Sequence, residues 1–214
     1  DEDLLTGFKM VLTIYTEGLA DLEGLKWVLF SKTGNIINHS SPIQLGEAID
    51  GVINKEINYL HKVDDFEFLD GIFETCQYLI SLNYKIIIIT NQSGISRGYY
   101  SEYDFQIITN WMITQFKNND IKILDIFHCS HSPDSNCNCR KPKPGMFIEA
   151  KNKHNIDMKK SWMIGDSERD IRAANLAGIK NTILVRSGHK INETNSDAMF
   201  FLDSISQTNQ IILK

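Results

Sequence analysis

An α/β fold, with a Rossmann-like parallel sheet and helices on both faces, is predicted by three observations. From about residue 50 onward, short runs of almost purely apolar residues alternate with stretches of helical periodicity. Polar turns follow the apolar runs, as they do where parallel strands feed their crossover helices. A chain of 214 residues is also long enough to bury a core of its own without disulfides.

The elements follow in order. Residues 8–15 and 26–30 read as strands, with Glu17-Gly18 and Glu23-Gly24 as breaks. The second of these has the shape of a buried strand feeding Ser31-Lys32-Thr33-Gly34, and the chain stays polar to Pro42. Across residues 66–82, Phe68, Leu69, Ile72, Phe73, Cys76, Leu79 and Ile80 form a helical stripe that Asn83 closes. Lys85-Ile86-Ile87-Ile88-Ile89-Thr90 has the composition of a strand covered on both faces. Ser101 can cap a helix through Phe105, Ile108, Trp111, Met112 and Phe116, and residues 123–128 form the next strand. Pro144 opens a helix to about Lys153, residues 161–166 are strand and turn, and a helix over 168–177 ends at Gly178. Strands over 181–186 and 199–202 complete the series.

Composition narrows the function classes. A net charge of −5 offers no broad basic face for nucleic acid. No apolar run approaches the roughly 18 residues of a membrane span. The chain opens on Asp1, Glu2 and Asp3 rather than on a positive secretory start, so a cytoplasmic monomer is expected. Three of the four cysteines cluster and Cys76 stands alone in an apolar stripe, which fits a buried hydrophobe rather than a disulfide framework.

Chemistry concentrates in the turns. Cys129, His131, Cys137 and Cys139 offer three thiols and an imidazole at the close spacing of a tetrahedral zinc knot; the rival reading is surface thiols. Arg140 and Lys141 follow at once, either as a solvated basic loop or as an anion site. Thr90-Asn91-Gln92-Ser93 and Gly165-Asp166, with Asp170 four residues on, stand at other strand ends, where ligands of such sheets bind. A hydroxyl, a lysine and a carboxylate pair at neighbouring strand ends suit metal-assisted phosphoryl transfer, although Asp170 could merely charge its helix's first turn. His61, His128 and His154 lack a second ligand at metal spacing and read as structural or surface residues.

Three of these segments carry a resemblance. Thr90-Asn91-Gln92-Ser93-Gly94-Ile95-Ser96-Arg97-Gly98, Cys139-Arg140-Lys141-Pro142-Lys143-Pro144-Gly145-Met146 and Gly165-Asp166-x-x-x-Asp170 resemble the second, third and fourth motifs of haloacid dehalogenase-type phosphatases. More narrowly, they are similar to the D-glycero-D-manno-heptose 1,7-bisphosphate phosphatases and the related histidinol-phosphate phosphatases. Asp50-Gly51-Val52-Ile53-Asn54 and residues 59–68 fit the same pattern, so the likeness spans residues 50–185 apart from a short cysteine loop. It implies a sugar phosphate substrate, Mg²⁺ at Asp166 and the Asp50 carbonyl, and a structural Zn²⁺ at the cysteine knot. It further implies that Asp50 is the general acid and base, that Thr90 and Lys141 hold the transferring phosphoryl group, and that Arg140 grips the sugar phosphate. Glu56, Ile57, Asn58, Tyr59, Asn91, Gln92, Ser93 and Ser167 would line the pocket.

The first motif departs from that pattern. The family's nucleophile is an aspartate two residues before Asp50, and this chain has Ala48 there, whose methyl group cannot form an aspartyl-phosphate. Gln44, Gly46 and Glu47 also interrupt what should be a buried first strand. In the other available register, after residues 26–30, the two aspartates become Ser31 and Thr33. The Asp50 register is preferred because it runs ungapped into residues 59–68. On this reading residues 43–214 form the phosphatase-type domain, and residues 1–42 are an unassigned segment that could supply the first strand. A sugar-phosphate-binding or interaction protein without turnover, on the same fold, is the alternative to an enzyme.

Overall fold

The computed structural model describes residues 10–13, 28–30 and 36–38 by their backbone, and residues 52–55, 59–187 and 193–213 with their side chains. Its elements are β1 (Met10–Thr13), β2 (Val28–Phe30), β3 (Ile36–Asn38), α1 (Ile72–Ser81), β4 (Lys85–Asn91), α2 (Ser93–Ser96), α3 (Glu102–Asn118), β5 (Ile123–Cys129), α4 (Gly145–His154), β6 (Trp162–Gly165), α5 (Glu168–Ala177), β7 (Asn181–Val185) and β8 (Phe200–Leu202). Six strands form a parallel sheet in the order β5-β4-β1-β6-β7-β8, so the chain order reverses beside β1. At such a switch point the loops leave the strand ends in opposite directions and open a crevice.

β4 shows why the isoleucine run works only in the middle of such a sheet. Ile86 and Ile88 enter one core with Ile72, Leu79, Met112 and Phe116, whereas Ile87 and Ile89 enter the opposite core with Phe127, Phe147, Met163 and Ala174. Each face takes alternate side chains, and each buried isoleucine contributes about 2 kcal/mol. β-branched residues suit the pleat, and a run apolar on both faces has no solvent face to choose.

Helix ends follow their local chemistry. Ser101 accepts from the Asp104 amide while Asp104 accepts from the Ser101 amide, a capping box that starts α3. Gly178, at φ 98°, ends α5 in the left-handed region where glycine carries no Cβ penalty.

Two expectations change. Helix α1 begins only at Ile72, because Gly71 turns at φ 80°. Residues before it are extended, with Phe68 bridged to Asn54 and Leu69 N–H donating to Ile53 O at 2.8 Å. The strand at Val28–Phe30 pairs antiparallel with Ile36–Asn38 in a separate two-stranded sheet, in a stretch read as loop, and does not join the parallel sheet. The slot between β4 and β6 is filled by Met10–Thr13, whose four residues are free of the polar interruptions seen at 44–47. Ala48 and Asp50 lie outside the described residues, as do Ser31, Thr33, Glu56, Ile57 and Asn58.

Candidate active site

The candidate site sits where β4, β5 and β6 end together. Thr90 and Asn91 close β4 and pair in register with His128 and Cys129 of β5, and Gln92 N–H donates to Cys129 O at 2.7 Å. That pairing ties the threonine turn to the cysteine loop. All four side chains from Thr90 to Ser93 are buried.

Asn91 clamps the basic loop. Its Oδ1 accepts from Lys141 N–H at 3.1 Å and its Nδ2 donates to Lys141 O at 3.3 Å, so one amide satisfies both backbone groups of one residue. Lys141 then runs inward, with Nζ donating to Ile89 O at 3.0 Å and 3.0 Å from Asp170 Oδ1. Both side chains of this ion pair are fully buried. Burial lowers the Lys141 pKa, and Asp170 pulls the other way. Burial also pushes Asp170 up to about 6, opposed by Lys141 and reinforced by Asp166.

Asp170 has a second task. Its Oδ2 accepts from Ser167 N–H at 3.2 Å, closing the capping box that starts α5. Charging the helix's first turn and pairing with Lys141 are therefore joint roles of one carboxylate. Gly165 permits the close approach, since a Cβ there would stand 2.7 Å from Asp170 Cβ. Asp166, at the end of β6, is fully buried. Two buried carboxylates around one ammonium leave an excess of negative charge lined by hard oxygen, a donor set that fits a divalent cation such as Mg²⁺.

The cysteine loop forms a second potential metal centre. One ligand atom from each of Cys129, His131, Cys137 and Cys139 lies within 4.8 Å of the other three. Cys129 Sγ is 3.0 Å from Cys139 Sγ, 3.7 Å from Cys137 Sγ and 3.4 Å from His131 Nδ1. Bonds of about 2.3 Å to a tetrahedral zinc would set sulfur atoms roughly 3.8 Å apart, so the group is near the required size. Burial holds the Cys129 thiol well above its ordinary range, with Cys139 adding to the effect, and a bound cation would compensate a thiolate there. Lys143 Nζ donates to Cys137 O at 2.6 Å, and Gly145 admits Asn138 O where a Cβ would approach it to 2.2 Å. Arg140 Nη1 donates to His131 O at 3.3 Å, which fastens the arginine to the same loop.

Sequence reasoning named Thr90, Asn91, Gln92, Ser93, Arg140, Lys141, Asp166 and Ser167, and the structure gathers them at these adjoining strand ends. Tyr59, at φ 56°, accepts at its hydroxyl oxygen from Arg97 Nη1 at 3.4 Å and meets Tyr99 edge-on. The histidines set aside find local partners: His61 with Tyr59 O, His128 with Glu102, and His154 with Asp125. Tyr100 was not anticipated. Its hydroxyl donates to Gln92 Oε1, and no spacing rule marks it.

A parallel sheet with a hydroxyl turn, a buried lysine and a carboxylate pair at successive strand ends defines a haloacid dehalogenase-type hydrolase fold. A family model for HAD-hydrolase-like proteins matches residues 138–207. The crystal structure of the D,D-heptose 1,7-bisphosphate phosphatase from B. bronchiseptica, complexed with magnesium and phosphate, aligns with a TM-score of 0.66 at 26% identity, covering 75% of this chain and 92% of that one. The D-glycero-α-D-manno-heptose-1,7-bisphosphate 7-phosphatase of Photorhabdus laumondii is 47% identical over 157 residues, covering 70% of this chain and 86% of the relative. The corresponding β-anomer phosphatase of Vibrio cholerae is 41% identical over 173 residues, covering 77% and 93%. This chain belongs to the heptose 1,7-bisphosphate phosphatase family of haloacid dehalogenase-type proteins. Among the described residues, no helix is long and apolar enough to cross a membrane.

Proposed function

We propose that the chain binds the phosphate of a heptose 1,7-bisphosphate and is built for its Mg²⁺-dependent hydrolysis as a phosphomonoester. The observation that carries this reading is the fully buried Lys141, paired with Asp170 and clamped by Asn91 beside Thr90. A lysine is kept charged in such a place by carboxylates, and its remaining donor capacity suits an anion. In this reading Thr90 donates to a phosphoryl oxygen, Lys141 neutralises the charge that develops there, and Arg140 grips the sugar phosphate. Asp166 and the Asp50 carbonyl hold Mg²⁺, which supplies charge neutralisation when bound. Asp50 exchanges the proton with the leaving or attacking oxygen, and Glu56, Ile57, Asn58, Tyr59, Asn91, Gln92, Ser93 and Ser167 shape the pocket. Cys129, His131, Cys137 and Cys139 hold a structural Zn²⁺ with four protein ligands, fixing Arg140 and Lys141. The α anomer is the proposed form, because the α-named relative is 47% identical against 41% for the β-named one.

A second reading, favoured by Ala48, is a sugar-phosphate-binding protein without turnover. The aspartyl-phosphate route needs a carboxylate beside Thr90 and Asp166, and neither Ala48 nor any residue of Met10–Thr13 supplies one. Phosphate release from heptose 1,7-bisphosphate with Mg²⁺, abolished in Asp166→Ala, establishes the enzyme. Calorimetric binding of the bisphosphate without phosphate release establishes the binder, and absence of both overturns the proposal. Metal analysis of the purified chain should find one equivalent of zinc, and a zinc-free, folded chain would sink the knot assignment.

A further inference from the structure

The side-chain amide of Gln92 stands between two hydroxyls. Gln92 Nε2 donates to Thr90 Oγ1 at 2.8 Å, and the Tyr100 hydroxyl donates to Gln92 Oε1. All three side chains are buried. Two features pin the phenol in place. Gly94 lies against its ring so closely that a Cβ would stand 2.2 Å from Tyr100 Cε1, and the His61 ring stacks on it at 5.7 Å with the planes 3° apart.

A hydroxyl has one proton, while an amide has a donating and an accepting end. With the amide in this orientation Thr90 Oγ1 is an acceptor, and its own proton makes only a 3.4 Å contact with Asn91 O, weak enough to be given up. With the amide reversed, Oε1 would take the Thr90 proton and none would remain for an incoming anion. A phosphoryl group carries acceptors only, so the amide's orientation decides whether Thr90 can bind it.

We propose that Tyr100 is a positioning residue for Thr90, acting through Gln92: its hydroxyl anchors the amide against Thr90 Oγ1, and the amide held there with Nε2 toward Thr90 leaves the Thr90 proton for a phosphoryl oxygen. The inference rests on the reading of Thr90 as a phosphate contact. It extends that reading to a residue outside the pocket lining, and it assigns the Gln92 side chain to Thr90 rather than to the sugar.

The test measures binding of inorganic phosphate in MgCl₂ by calorimetry. Tyr100→Phe removes the hydroxyl that anchors the amide, and Gln92→Glu puts an acceptor where the Nε2 donor was. Each should weaken phosphate binding about tenfold or more, with the melting temperature followed to confirm a folded chain. In a Thr90→Val background, adding Tyr100→Phe should cost nothing further, which a merely structural tyrosine would not show. Unchanged affinity in Tyr100→Phe, or equal losses with and without the Thr90 hydroxyl, overturns the proposal. Failure of the unmodified chain to bind phosphate overturns the functional reading instead. The relay is then judged by the Gln92 amide protons in NMR: slow exchange that Tyr100→Phe accelerates sustains it, and spectra indifferent to the substitution overturn it.

Discussion

The flanks of the crevice and its centre differ in how they are held. On the flanks, formed at the ends of β4, β5 and β6, Thr90, Asn91, Gln92, Lys141 and Asp170 are buried and bonded to one another. At the centre, β1 is Met10–Thr13, without a carboxylate among its four residues, and the proposed Asp50 register would put Ala48 at the nucleophile's position. In the proposed function, binding and bond-making would be carried by separable parts. Removing one member of a buried ion pair leaves an uncompensated charge, so the binding side resists change. A nucleophilic aspartate would add a third anion near Asp166 and Asp170, and its loss relieves repulsion, so stability does not guard it.

The largest effect should come from supplying the missing group. Ala48→Asp, assayed with heptose 1,7-bisphosphate and Mg²⁺, should raise phosphate release on the order of 10⁶-fold, the scale lost when a nucleophile is deleted from a serine protease. A folded variant with no gain would break the Asp50 register. Next comes Lys141→Met, which strips the buried carboxylates of their cation and should cost about 3–5 kcal/mol in urea unfolding. A cost under about 1 kcal/mol would mean that the flanks are held no more tightly than the centre. Gly94→Ala, which forces a methyl group against the Tyr100 ring, should cost about 1–3 kcal/mol by the same measurement.

The last effect lies away from the crevice and serves as its control. Burial pushes the Cys76 thiol up to about 12 from an ordinary 9.0. Between those values the folded chain keeps a proton that the unfolded chain releases. This contribution is therefore complete below pH 9 and is lost as pH rises, by about 1.4 kcal/mol per unit. Cys76→Ala should remove that part of the slope without altering phosphate binding.

Much of the architecture was legible because its signals are local. The Ile86–Ile89 run, the Ser101 cap and Gly178 each decide their element with neighbours in sequence. The cysteine group was readable for the same reason, as its four side chains lie within one short loop. What escaped depends on distant partners. Phe68 and Leu69 fit a helical stripe, and only the pairing of residues 53–55 with residues 67–69, with the turn at Gly71, shows them extended. The Lys141–Asp170 pair spans the crossover from β5 through α4 to β6, and the Tyr100 hydroxyl meets Gln92 only because α2 folds the chain back. Which segment fills the slot between β4 and β6 is a competition among remote stretches, which apolar content alone could not rank.

The carboxylate of Asp170 gives its two oxygens separate work, one facing the Lys141 ammonium and the other the Ser167 amide that begins α5. Whatever draws the ammonium toward an anion changes the electron density available to that amide. The first turn of α5 is therefore wired as a reporter: its amide hydrogen-exchange rate should record whether the crevice is filled, with no label and no turnover required.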